Sequence, residues 1–188
     1  MAQQCDLFGA PPPVPGLVFV EEAVGPALEA ELERRVDACA LAPFQFGQWQ
    51  GKRLTANFGT AYDYQRGHPI PAPPLPAWLL DLRSRLAGLA GRAAEDFVQG
   101  LVIRYDPGAG IGWHRDRPQY GEVLGLSLTA PATLRLRRRT PTGGFERRAV
   151  ELPRRSLYLL SGEVRDAWEH SIVPMDVTRR SITLRTMR

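Results

Sequence analysis

Short apolar alternation, repeated from Asp96 to Arg188, constrains this chain more than any other feature. Leu101, Ile103 and Tyr105 alternate with Val102 and Arg104, the period of a half-buried strand. Asp106-Pro107-Gly108 breaks the run with residues that fix or free φ, and the chain returns as a short strand ending in His114-Arg115-Asp116. Leu124, Leu126 and Leu128 alternate with Gly125, Ser127 and Thr129, and Leu134 and Leu136 with Arg135 and Arg137. Thr140 to Gly144 reads as a loop or hairpin turn from which Phe145 to Leu152 pairs back. Ser156 to Leu160 and about 179–187 supply further strands. Two helical patterns precede them: Leu28, Leu32, Val36 and Ala40 behind Pro26, and Leu79, Leu82, Leu86 and Leu89 between about Ala77 and Arg92. This order predicts an α+β, mainly β, architecture. Its core is a double-stranded β-helix (a jelly roll) with two helices from the N-terminal half packed on it.

At 188 residues one domain is expected. Residues 1–16, rich in Pro and Gly, read as a loose arm, with Leu17 to Val20 a short edge strand. The aromatic and polar stretch of about 41–73 has no helical period and reads as short strands of a twisted hairpin or lid; 96–188 forms the jelly-roll core. No apolar run approaches the roughly 18 residues of a membrane span. The N-terminus lacks the pattern of a signal peptide, and Cys5 and Cys39 are isolated, so a reducing cytoplasm is the simplest setting.

Residues two apart on a strand share a side, so His114 and Asp116 project together while Arg115 faces away. An imidazole and a carboxylate form two corners of the two-His, one-carboxylate facial triad of non-haem Fe(II) oxygenases. The third corner must come from His68, in an Arg-Gly-His-Pro loop, or His170, in the strand-like segment Ala167 to Val173. Arg179 and Arg185 are an even number apart and face the same way as Ser181 and Thr183. Guanidiniums turned inward need anions, and a dicarboxylate suits because Arg grips carboxylates through paired hydrogen bonds. Alternatively they decorate a basic terminal strand. The net charge of +4 favours an acidic partner such as nucleic acid, although Lys52 is the one lysine among 24 basic residues and arginine enrichment also follows from codon composition.

LVIRYDPGAGIGWHRD (101–116) resembles the first half of the AlkB family of Fe(II)- and 2-oxoglutarate-dependent dioxygenases, whose pattern runs Asn-x-Tyr-x-Pro-Gly, then His-x-Asp. HSIVPMDVTRRSITLRTMR (170–188) resembles its second half, a metal histidine followed by Arg-x-x-x-x-x-Arg. The resemblance implies His114, Asp116 and His170 as Fe(II) ligands. It implies Tyr105 and Arg179 on the far carboxylate of 2-oxoglutarate, Arg185 near the metal end, and O2 as cosubstrate. It further implies oxidative demethylation of an alkylated base in nucleic acid, single-stranded or flipped out, by a cytoplasmic monomer. RLTANFGTAYDY (53–64) then corresponds to the substrate-recognition lid, with Arg53, Phe58, Tyr62 and Tyr64 as candidate substrate contacts, joined by Trp113. The family's Asn is Ile103 here, with Gln99 a candidate replacement, and Pro118 stands where relatives often carry a second acid. These departures keep other targets open: a modified tRNA base, a protein side chain, or a non-catalytic jelly-roll binding module.

Overall fold

The computed structural model describes residues 13–46, 48–63 and 66–188. Strand β1 (Leu17–Val20) leads into α1 (Pro26–Asp37), then β2 (Ala42–Phe46), β3 (Trp49–Phe58), the small hairpin β4 (Thr60–Asp63) and β5 (His68–Pro71), and α2 (Ala77–Leu89). A single 3-10 turn precedes β6 (Phe97–Tyr105), β7 (Ile111–His114), β8 (Tyr120–Leu128), β9 (Ala132–Arg139), β10 (Phe145–Leu152) and β11 (Leu157–Leu160). The short α3 (Gly162–Asp166), β12 (Glu169–Ile172) and β13 (Arg179–Met187) complete the order. Among the described residues the strands form a seven-stranded sheet, β1-β11-β8-β13-β6-β3-β2, facing a four-stranded sheet, β10-β9-β12-β7. Pairing within both sheets is antiparallel, as the jelly-roll expectation requires.

Two apolar layers follow from strand alternation. One face of the large sheet packs on α1 and α2 through Val102, Leu124, Leu126, Ile182 and Leu184 with Leu32, Val36, Leu79 and Leu86. The other meets the small sheet through Leu101, Ile103, Tyr105 and Leu160 with Leu134, Leu136, Trp168 and Ile172. Covered on both faces, β8 and β13 are buried almost throughout. Helix α2 ends where Gly91 takes φ +65°, letting Gly91 N donate to Gly88 O and Arg92 N to Ala87 O, so the last carbonyls find donors.

The sheet is not confined to 96–188, as expected from sequence. Strand β1 takes the edge place beside β11, as its sequence suggested, while β3 pairs with β6, so residues expected to form a lid are partly structural wall. Helix α1 is fastened by Glu29, whose buried carboxylate accepts from Thr129 N and from Arg154 and Arg155. Thr129 (φ 72°) and Arg155 (φ 64°) sit in the left-handed region, as does Glu22 (φ 50°), which pairs with Arg155. Those backbone turns are costly for residues with a Cβ, and one ion-pair network spans all three.

Candidate active site

The site is built on a bulge. His170 of β12 lies directly opposite His114 of β7, yet Ile172 pairs with Ile111, so β7 spends one extra residue between the two rungs. Without it, Ile111 and His114, three apart, would face opposite sides. With it, Ile111 packs into the core, His114 turns toward the cavity, and Trp113 is turned toward the arginines of β9. The ladder stops at His114, so Asp116 follows the strand rather than belonging to it. One ligand atom each from His114, Asp116 and His170 nevertheless lies within 4.8 Å of the others, and the two rings are 4.2 Å apart. His68, the sequence rival, is exposed on β5, with its Nδ1 2.9 Å from Pro69 O.

Burial pushes the His114 imidazole down, and burial beside His114 pushes His170 to about 3, so both rings are neutral at neutral pH, the state that ligates metal. His114 Nδ1 is 2.9 Å from Gly112 O; a carbonyl only accepts, so Nδ1 carries the proton and Nε2 keeps its lone pair. Burial alone would raise Asp116, but the guanidinium of Arg185, joined at acid pH by the two imidazoles once they are protonated, outweighs it and holds the carboxyl well below the usual range. Two neutral imidazoles and one carboxylate on one side of a cavity are the donor set of a facial Fe(II) site.

The anion clamp lies on β13, whose alternation puts Arg179, Ser181, Thr183 and Arg185 on the face toward the small sheet, with Ile182 and Leu184 toward the helices. Arg179 is 1% exposed; its Nη2 donates to Ser127 Oγ at 3.0 Å, while Nε and Nη1 have no partner among the described residues. Two buried, unsatisfied guanidinium nitrogens beside Tyr105 fit a carboxylate from outside the chain. Arg185 donates to Gln99 Oε1 at 2.8 Å and lies 3.3 Å from Asp116 Oδ1, so it ties the clamp to the metal side.

Gln99 does not replace the family's amide. Its Nε2 is committed to Asn57 Oδ1 and Gly100 O and its Oε1 to Arg185, so it offers no free amide beside Ile103. Three residues that sequence reasoning passed over belong to the site. Tyr158 lines the cavity, its phenol pushed up to about 12 by burial, and its ring lies where a Cβ on Gly125 would stand 2.2 Å away. Ser127 holds Arg179, and buried Arg165 donates to the carbonyls of Arg117, Tyr120 and Gly121, pinning the turn after Asp116. A polar hydroxyl within the apolar run Leu157 to Leu160 was a visible signal for Tyr158; nothing in local spacing marks Arg165.

The cavity holds about 1070 Å³. Arg53, Tyr62 and Trp113 of the expected substrate contacts line it, with Arg53 stacked 4.1 Å over Phe44 and Tyr62 under Arg117 at 4.6 Å. Phe58 does not: on β3 the odd residues Arg53 and Asn57 face the cavity, and Phe58 packs with the helix-side core. Tyr64 lies outside the described residues.

A family profile described as the 2OG-Fe(II) oxygenase superfamily matches residues 42–188. The chain is 31% identical over 163 residues to a tRNA (carboxymethyluridine(34)-5-O)-methyltransferase alkbh8 of Xenopus tropicalis, covering 85% of this chain and 25% of the relative. It is 29% identical over 184 residues to an Arabidopsis thaliana protein named Alkylated DNA repair protein ALKBH8 homolog, covering 85% of this chain and 51% of that one. The chain thus spans a quarter to a half of these relatives' lengths. OsALKBH1 superposes with a TM-score of 0.66 at 15% identity, covering 92% of this chain and 99% of that one. A Pseudomonas putida prolyl-4-hydroxylase superposes with a TM-score of 0.57 at 17% identity, covering 92% of each, which extends the likeness in fold. With its ligand triad, its buried arginine clamp and these relatives, the chain belongs to the 2OG-Fe(II) oxygenase superfamily, as a member of the AlkB family.

Proposed function

We propose that this oxygenase hydroxylates an alkyl substituent on a base of nucleic acid, releasing the alkyl group from nitrogen, as a cytoplasmic monomer acting on a base held out of its stack. The observation that supports it is the coincidence of the His114, Asp116 and His170 cluster with a roomy cavity whose lining is aromatic and basic: Phe44, Arg53, Tyr62, Trp113 and Arg117. Rings among guanidiniums suit a π-face carrying a phosphate. The names of the two relatives point the same way, one naming tRNA and one alkylated DNA repair.

Fe(II) held by His114, Asp116 and His170, with 2-oxoglutarate and O2 as cosubstrates, supplies the oxidation. The chain's own part is placement. Arg179 would grip the far carboxylate with the N–H groups now unpaired, Tyr105 would add its hydroxyl, and Arg185 would steady Asp116 at the metal end. Arg53, Tyr62 and Trp113 would receive the base.

Anaerobic titration of Fe(II)-loaded protein with 2-oxoglutarate should raise a visible charge-transfer band, absent in Arg179→Ala and His170→Ala. Succinate release should then rise with methylated RNA or DNA oligonucleotides. A band without any nucleic-acid-stimulated turnover would move the substrate to a protein side chain; no band despite bound iron would leave a binding module.

A further inference from the structure

We propose that the outer face of the four-stranded sheet is a track for single-stranded nucleic acid, running from the cavity mouth to the β9–β10 hairpin. The proposal rests on the nucleic-acid reading above and extends it to a surface outside the cavity. Strand β9 turns Leu134 and Leu136 into the core and Arg135, Arg137 and Arg139 outward. Cross-strand pairing sets Arg147 opposite Arg137 and Phe145 opposite Arg139. The bulge in β7 brings Trp113 to the same row while leaving it at the cavity wall.

The side chains interleave. The Arg137 guanidinium lies 4.5 Å from the Trp113 ring centre and 4.4 Å from that of Phe145, so it is held between two rings. Arg135 stacks on Trp113 at 5.0 Å, and Arg139 and Arg147 approach Phe145 at 5.0 and 5.6 Å. Guanidiniums seated over rings turn their remaining N–H groups to phosphate, and the rings between them offer faces on which an unpaired base stacks.

Pairing separates the outer end of this row from the arginine clusters nearest it in sequence and from Arg180. Arg138 and Arg148 are paired with Glu146, Arg154 and Arg155 with Glu29, and Arg180 with Asp37. On the row, Glu169 pairs with Arg137 at 2.6 Å and Arg135 donates to Ser171 Oγ. Arg139 and Arg147 have no carboxylate partner among the described residues, and both are exposed. Glu151, the face's other carboxylate, lies at the far end of β10, accepting from Thr133. From Arg135 to Arg139 the row extends about 13 Å at the rise of a strand. A single file of guanidiniums and rings fits one strand with splayed bases better than a duplex, and places that strand where one nucleotide can enter the cavity.

The test is fluorescence anisotropy of the full chain with short fluorescein-labelled single-stranded RNA and DNA, over a salt series. Arg139→Glu/Arg147→Glu is compared with Arg34→Glu/Arg85→Glu, an equal charge change on exposed arginines of α1 and α2 across the large sheet. The track variant should weaken binding about tenfold or more and flatten the log-log salt slope by about 1.4, two contacts' worth, while the helix variant stays near wild type. Arg139→Gln/Arg147→Gln should show a smaller loss of the same kind and serves if charge reversal disturbs folding. Phe145→Leu should weaken binding without changing the slope. Equal losses in the track and helix variants, or no loss in the track variant while wild type binds, would overturn the track and leave the nucleic-acid reading standing. Failure of wild type to bind any strand would overturn both; the charge-transfer titration on each preparation reports the oxygenase core separately.

Discussion

At the scale of single residues, Arg179 is the sharpest point of tension. A fully buried guanidinium with two nitrogens unpaired costs folding free energy that a bound dicarboxylate returns. Arg179→Met should therefore leave the melting temperature of the unliganded protein unchanged or raise it, while abolishing the shift that 2-oxoglutarate gives to wild type. Differential scanning fluorimetry with and without 2-oxoglutarate checks both halves, and a strongly destabilised variant would sink the argument. Even spacing along one strand makes Arg179, Ser181, Thr183 and Arg185 legible together in the sequence. The residues that hold them are not. Ser127 and Gln99 reach β13 from neighbouring strands, and Arg165 reaches the turn after Asp116 from a five-residue helix, through pairings set by the whole sheet. Phe58 was misplaced for the related reason that its side depends on which strand β3 joins.

At the scale of elements, the docking of α1 depends on the Glu29 carboxylate. Burial alone would raise Glu29, but the Arg154 guanidinium, the Thr129 N–H and Arg155 outweigh it and hold the carboxyl below its ordinary 4.5. A depressed folded-state value means the stabilisation is complete above about 4.5 and is lost as pH falls through the lower folded value. Glu29→Gln should cost about 2 kcal/mol at pH 7 and weaken the acid sensitivity of stability below about pH 4.5, read from urea melts across pH. Gly125 is the counterpart within the large sheet. A methyl there meets the Tyr158 ring at 2.2 Å, so Gly125→Ala should displace the ring and destabilise by about 1–3 kcal/mol, measured by chemical denaturation. The helices and the strands after Asp96 were readable because each repeats one period. In the segment 42–58 the strand pairing was readable but its place in the large sheet was not, since β2 and β3 pair with a register shift and mix cavity and core residues along one strand.

At the scale of the whole molecule, the two sheets meet only as well as their strands are registered, and the ligands sit across that registration. Mn(II), as a non-oxidising substitute for Fe(II), should stabilise the fold by mass action, by about 2.7 kcal/mol at a hundredfold excess over its Kd, and so raise the melting temperature. His170→Ala should lose that rise, and a chelator should reverse it. No helix among the described residues is long and apolar enough to cross a membrane.

The rung that pairs His114 with His170 has one more consequence. A slip of β12 by a single residue would send its imidazole to the outer face and Glu169 or Ser171 inward, with no change in the number of ladder bonds. An ion seated between the two histidines acts as a removable staple, joining positions far apart in the chain as a disulfide would, and only when the strands are aligned. Metal affinity in this protein is therefore also a proofreading signal: it reports, residue by residue, that the small sheet has been assembled in the right frame.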